Sequence, residues 1–327
     1  MSDETIFILN PLASTLRHYE SELIDTLAAA GYRAAETIPT VEGEGISGAA
    51  QRIRVAAASL SERVRMGSAM RNRTIIVAWP LFSYLDPLTL WGLCRRNRVF
   101  IVMHDPTPLR RSYGHSGVPR RIFKWIVEHT DTHVVYHTEL AQRTGSAVCG
   151  VTGTVIPHPI GRASIGTCPP VDIEARRTIR VLGQYKPART LAPLQQIAAR
   201  EVGAYRLEIH GRGWPSLEGW AVSDRFVAEE EFDELIRTAD CVVIPYDSFF
   251  QSGVAVRCLE NGVPVVAPEH EHVAELYGED WPGLVHDEND WCDAVSRVLE
   301  TDRTAVVVRA HDVRAQVGRD WAEALRR

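Results

Sequence analysis

The chain has 327 residues, enough at roughly 150 per domain for about two domains. A hydrophobic share of 45% and a charged share of 24% fit a globular protein with a sizeable core and set aside disorder as the main theme. Thirty-six Lys and Arg against 42 Asp and Glu leave a net charge of −6, so general affinity for nucleic acid is not indicated.

No apolar run approaches the roughly 18–20 residues of a membrane span. The opening Met1-Ser2-Asp3-Glu4-Thr5 lacks the basic-then-apolar pattern of a signal peptide. Six cysteines without a Cys-x-x-Cys pair fit a reducing cytosol, and the expected location is cytoplasmic. Only Lys124 and Lys186 are lysines among the 36 basic residues. GC-rich coding explains that bias blandly, yet it draws attention to each lysine kept.

In chain order, short β-branched runs predict strands at 5–9, 74–78, 98–103, 133–136 and 154–156. A second series follows at 179–182, 206–209, 225–227, 241–244 and 264–267. Between them apolar residues recur at helical spacing, as in Leu23, Leu27 and Tyr32, or Leu191, Leu194 and Ile197. Strand–helix alternation predicts α/β architecture with mostly parallel sheets covered on both faces. Two series predict two doubly wound domains. The Pro- and Gly-punctuated stretch 158–170 reads as the linker, dividing 1–165 from 166–303. A helical pattern at 304–327 has no strand after it, and one option is that it packs back across the junction.

Ligands of doubly wound sheets sit at the carboxyl ends of strands, so the loops there are where chemistry is expected. After 98–103 comes His104-Asp105-Pro106-Thr107-Pro108, where a histidine can donate a hydrogen bond or titrate near neutrality. A structural histidine reads the same way. The segment 107–130 mixes Arg110, Arg111, Arg120, Arg121 and Lys124 with Val118, Ile122, Phe123, Trp125 and Ile126. That mixture suits either an anionic membrane surface or a helix with one face in the core. His137 and His158, after the next two strands, read first as structural.

After 179–182 stands Gly183-Gln184-Tyr185-Lys186-Pro187-Ala188-Arg189, a glycine and two cations before a helix. Such a loop suits an anion, although it is no Walker motif. After 241–244, Ser252 or Gly253 caps a helix that Asn261-Gly262 closes. Glu260 follows Ser252 by eight residues, about 12 Å along a helix axis.

The run Ser252-Gly253-Val254-Ala255-Val256-Arg257-Cys258-Leu259-Glu260-Asn261-Gly262-Val263-Pro264-Val265-Val266 resembles the donor signature of GT-B retaining glycosyltransferases. That signature is Glu-Gly-Phe-Gly, a second Glu eight positions on, then Gly-x-Pro-Val-Val. Gly183–Arg189, His210-Gly211-Arg212-Gly213 and the acidic run from Glu229 to Glu234 are similar to further parts of it. The resemblance implies the GT-B fold, with two Rossmann-like domains facing across a cleft. It also implies transfer of a hexose from a GDP- or UDP-linked donor to a glycan or lipid-linked acceptor, with retention.

By the same resemblance, Lys186 and Arg189 clamp the diphosphate, with Gly183 in their loop. Gly253 and Val254 offer it backbone N–H groups, Glu260 binds the ribose and Val227 marks the nucleobase. His104 faces the transferred sugar, so His104, Lys186 and Arg189 are the candidate catalytic residues, with Asp105, Arg110 and Arg111 on the acceptor side. Ser252 stands where the family has its first glutamate, Gln184 where it has arginine and Pro187 where it has glycine. Asn10–Thr15 replaces its Gly-Gly loop, and the sugar stays open. No cofactor and no metal are expected: the loosened Asp-x-Asp at Asp287-Glu288-Asn289-Asp290 reads as a surface loop. A peripheral anionic-membrane contact at the inner face, or a phosphorylated soluble acceptor, fits the arginines at 110–121. Two rivals share the fold, a nucleotide-sugar epimerase and a non-catalytic nucleotide-sugar or glycan-binding protein.

Overall fold

The computed structural model describes residues 5–11, 16–35, 49–108, 114–162, 176–186, 188–200, 203–246 and 249–327. They fall into two compact units, Met1–Pro159 joined by Gln316–Arg327, and Ile160–Ala315.

The first unit runs β1 (Thr5–Leu9), α1 (Arg17–Ala29), β2 (Arg33–Ala35), α2 (Ala49–Ala69) and β3 (Thr74–Val77). Two short helices follow, α3 (Asp86–Thr89) and α4 (Trp91–Cys94), then β4 (Arg98–Val102), α5 (Gly117–His129), β5 (Thr132–Tyr136), α6 (Glu139–Cys149) and β6 (Thr154–Val155). Its six strands are all parallel, in the order β2-β1-β3-β4-β5-β6. Thr74–Val77 and Val99–Val102 are buried throughout, as strands covered on both faces must be. The order reverses between β1 and β3, which is where a doubly wound sheet opens a crevice at its carboxyl ends.

The second unit runs β7 (Thr178–Leu182), α7 (Ala192–Arg200), β8 (Arg206–His210), β9 (Ala221–Ser223), α8 (Glu229–Arg237) and β10 (Cys241–Val243). It continues through α9 (Gly253–Glu260), β11 (Val265–Pro268), α10 (Glu271–Tyr277), β12 (Leu284–Val285) and α11 (Trp291–Leu299). The last helix, α12 (Arg303–Arg326), begins among this unit's residues and ends among the first unit's. The second sheet is again all parallel, ordered β12-β11-β10-β7-β8-β9. Counted within the unit, that is the dinucleotide-fold order 3-2-1-4-5-6, with its switch point between β7 and β10.

One expected strand is displaced. The ladder partner of β8 is Ala221–Ser223, and 225–227 is a connection in which Phe226 is exposed. Trp220 sets this register, because its buried ring donates through Nε1 to the Leu194 carbonyl at 2.8 Å and holds the residues next to it against β8. Strands β2 and β12 carry three and two residues, too few for a hydrophobic run to announce them.

Candidate functional site

The switch point of the second sheet gathers the informative loops. Gly183 directly follows β7 with φ +93°, a left-handed conformation that favours glycine. A Cβ on it would lie 2.9 Å from Arg189 Nη2 and 3.9 Å from the Val254 side chain, so Gly183, Arg189 and Val254 meet at one point. Gly211, after β8, presses from the other side. A Cβ there would sit 2.2 Å from the Gly183 carbonyl oxygen.

Arg189 is the centre of this arrangement and is only 4% exposed. Its Nη2 donates to the Leu182 carbonyl at 2.9 Å and to Tyr246 Oη at 2.7 Å, and its Nη1 to the Gly183 carbonyl at 3.3 Å. The guanidinium lies over two rings, Tyr246 at 4.7 Å and Trp214 at 5.1 Å. Trp214 itself donates through Nε1 to the Gly183 carbonyl at 2.8 Å. Among the described residues no carboxylate pairs with Arg189, and its buried Nε has no partner. Burial pushes its pKa down, with Tyr246 opposing that shift. A cation held in place without a counter-ion favours an anion beside it.

Lys186 is exposed on the same loop, and its carbonyl accepts from the Arg189 N–H at 2.9 Å. The two cations therefore differ in kind: Lys186 can reach a ligand, whereas Arg189 is a fixed charge beneath the loop.

Across the switch point, α9 starts as its sequence dictates. Ser252 is the N-cap, its Oγ accepting from Ala255 N–H at 3.3 Å. Gly253 is exposed and a Cβ there would meet nothing within 4 Å, so the first turn of the helix opens outward. His272 lies behind Ser252, wholly buried, and its ring hydrogen-bonds the Ser252 backbone. Its Nε2 has no partner, and burial pushes the imidazole down to about 3.

At the far end of α9, Glu260 is buried and its Oε1 accepts from Gly161 N–H at 2.7 Å. A surface helix position is thereby excluded for it. Val227 is half-buried just before α8, whose Glu229 and Asp233 both pair with Arg257 of α9 at 2.6 and 2.5 Å. Those ion pairs fix the start of α8 against α9.

In the first unit His104 follows β4 and is 2% exposed. Its Nε2 donates to the Ala78 carbonyl at 2.8 Å, and its ring stacks on Trp79 with centroids 4.6 Å apart. His104, His137 and His158 surround Tyr19 at 5.1, 5.4 and 5.0 Å. His137 donates from Nδ1 to the Ile156 carbonyl at 2.8 Å, and its Nε2 hydrogen-bonds Tyr19 Oη at 3.1 Å. Asp105 is half-buried beside His104, and Arg110 and Arg111 lie outside the described residues. The Asp287–Asp290 loop is a surface loop in which Asp290 pairs with Arg297 at 2.9 Å.

Sequence reasoning missed Trp214, Tyr246 and His272. Each follows a strand of the second sheet, and that position was the only signal they carried. On α5, Pro119, Phe123 and Ile126 are buried, while Val118 and Trp125 are 65% and 50% exposed.

No protein-family model matches the sequence, and no curated protein matches it. Solved structures do match. An α,α-trehalose-phosphate synthase (UDP-forming) from Burkholderia vietnamiensis aligns with TM-score 0.63 at 12% identity, covering 98% of each chain. A trehalose-6-phosphate protein from E. coli bound with UDP-2-fluoro glucose aligns with TM-score 0.63 at 11% identity, again over 98% of both. A sucrose-phosphate synthase from Thermosynechococcus elongatus aligns with TM-score 0.62 at 14% identity, over 96% of this chain and 94% of that one. At such identities the likeness shows the fold, two parallel doubly wound α/β units of the GT-B class.

Proposed function

We propose that the protein is a metal-independent glycosyltransferase that moves a hexose from a GDP- or UDP-linked donor to a glycan or lipid-linked acceptor, with retention. The observation that carries this reading is Arg189, a buried guanidinium at the switch point of the second sheet that pairs with no carboxylate among the described residues. A diphosphate beside Gly183 would meet that charge, the exposed Lys186 and the N–H groups of Gly253 and Val254 at the open start of α9. The second unit then binds the donor, with Glu260 toward the ribose and Val227 toward the base. The first unit, with His104, Asp105, Arg110 and Arg111, serves the acceptor and the transferred sugar. One solved neighbour is described as UDP-forming and another as bound with UDP-2-fluoro glucose, which favours UDP for the first assay.

Catalysis on this reading is positioning plus stabilisation of the leaving diphosphate. The bond from the anomeric carbon to the phosphate oxygen breaks, and a bond to the acceptor oxygen forms. The acceptor's hydroxyl proton leaves with the diphosphate or to solvent. Lys186 and Arg189 meet the charge that gathers on the departing phosphates.

Incubating the protein with UDP- and GDP-hexoses, with and without acceptor sugars, tests the reading. A transferase releases nucleotide and makes a new glycoside only when acceptor is present. Isomerised donor without acceptor identifies an epimerase, and tight binding without turnover of any donor identifies a binding protein.

Among the described residues no helix is long and apolar enough to cross a membrane. Peripheral contact with an anionic membrane would use Val118 and Trp125, exposed on α5 beside the exposed Arg121. Co-sedimentation with anionic liposomes at low salt is the expected result, and its absence removes this part of the reading.

A further inference from the structure

The first unit carries a second concentration of positive charge, at the end of its sheet opposite His104. Arg73, Arg95, Arg96 and Arg98 line a recess of about 460 Å³ where β3 and β4 begin, with Asn97 and Asp131. His104 lies six positions after Arg98, about 20 Å of extended chain. The recess is therefore remote from the candidate acceptor residues.

The backbone beneath these arginines is fixed, and the guanidinium groups of Arg96 and Arg98 are held by carbonyls, while Arg73, Arg95 and Arg96 remain exposed. Asn97 is buried and ties the two entry segments together: its Oδ1 accepts from Arg73 N–H at 3.0 Å, and its Nδ2 donates to the Met70 and Leu93 carbonyls at 3.1 and 3.0 Å. Arg98 is anchored on the end of α12 through the Leu325 and Ala324 carbonyls at 2.6 and 3.0 Å. Arg96 donates from Nη1 to the Gly67 carbonyl at 2.8 Å. Arg73 lies over the Phe7 ring at 6.0 Å and Arg95 over the Trp91 ring at 5.5 Å. A guanidinium that meets a ring rather than a carboxylate keeps N–H groups for an anion.

Among the described residues none of these four arginines forms an ion pair. The one carboxylate in the recess, Asp131, pairs with His133 at 2.8 Å. The setting reinforces the charge. Residues 60–131 hold twelve Arg and Lys against five Asp and Glu, in a chain whose net charge is −6.

We propose that this recess binds a phosphate-bearing group, with Arg73, Arg95 and Arg96 as its donors, at a site separate from the loop of Gly183. Its volume leaves room for more than a bare phosphate, so the phosphate can come from a soluble compound or from an anionic lipid headgroup. Arg95 leads toward the second source. It covers Trp91, which stacks at 5.5 Å on the half-exposed Trp125, and tryptophans of that kind sit at the level of lipid headgroups. Nothing in this site depends on glycosyl transfer.

The test compares the wild-type chain with the double variant Arg73→Gln/Arg95→Gln, both with UDP present to occupy the loop of Gly183. Two probes are titrated: inorganic phosphate by calorimetry, and phosphatidylglycerol vesicles by co-sedimentation against phosphatidylcholine alone. Loss of two charge-assisted contacts weakens the bound probe by about tenfold or more in the variant. Phosphate binding that the variant loses supports the site with a soluble source. Vesicle binding without phosphate binding, lost in the variant, supports it with a headgroup source. Binding of neither probe, or binding equal in the two proteins, overturns the proposal. Should the double variant fold poorly, protection from an arginine-modifying reagent in the wild-type chain serves instead. Phosphate or vesicles must slow modification of Arg73 and Arg95 and leave the rate at the exposed Arg143 unchanged; no protection refutes the site.

Discussion

Glu260 accepts from the Gly161 N–H at 2.7 Å and also stands where the resemblance places the ribose contact, so its two roles must be separated by the choice of variant. Glu260→Ala removes the acceptor and leaves a buried N–H unsatisfied, at about 1–3 kcal/mol of stability. Donor affinity should fall ten- to a hundredfold in the same variant, about 1.4–2.8 kcal/mol. Glu260→Gln keeps a carbonyl oxygen for Gly161, so it should melt near wild type and still lose affinity for the nucleoside diphosphate. Thermal melting and calorimetric titration of both variants check this. Unchanged affinity in the two would remove Glu260 from the donor site. The acid and its spacing were legible in sequence; its bond to Gly161, 99 residues away, was not.

His272 is the clearest residue-scale pH sensor. Burial pushes its imidazole from 6.5 down to about 3, so the folded chain keeps it neutral while the unfolded chain is protonated below 6.5. Its contribution to stability is therefore complete above pH 6.5 and is lost progressively as pH falls toward 3. Between pH 7 and pH 5 the loss is about 2 kcal/mol. His272→Asn should be less stable at pH 7 and flatter between the two pH values, as denaturant titrations at both would show. Equal pH dependence in the variant would mean that another group carries it.

At the scale of elements, helix ends were more legible than short strands. The α9 boundaries follow from a serine cap and an Asn-Gly stop, both local chemistry, and the structure starts the helix at Gly253 and ends it at Glu260. The misplacement of β9 shows the opposite case. Arg225-Phe226-Val227 has strand composition, but Trp220 and the ladder with β8 select Ala221–Ser223. Long-range polar anchors are equally invisible to local reading. Arg63 of α2 and Asp86 of α3 form an ion pair of 2.9 Å with both side chains fully buried. Asp86 also accepts from the Leu81 and Phe82 N–H groups at 3.0 and 2.8 Å, which fixes the turn after β3. Arg63→Ala would leave that carboxylate buried without its cation, at a cost of about 3–5 kcal/mol. Chemical denaturation should show a drop of that size; a loss under 1 kcal/mol, the size expected of an exposed pair, would contradict the role given to Arg63.

For the whole molecule, alternation of strands and helices was enough to read two parallel sheets, because both-face burial leaves its mark in composition. Strand order was not readable, since it depends on pairings between distant segments, and the order is what locates the two switch points. At the second switch point the chemistry is cationic. On the proposed reading Lys186 and Arg189 neutralise the diphosphate in place of a divalent ion. A nucleoside diphosphate that binds the native state should stabilise it by about 2.7 kcal/mol at a hundred times its Kd. That stabilisation, followed as a rise in Tm, should survive a chelator and should be reduced in Lys186→Ala. Loss of the shift on adding chelator, with recovery on adding magnesium or manganese, would assign the phosphate charge to a metal and leave Arg189 a structural role beneath its loop.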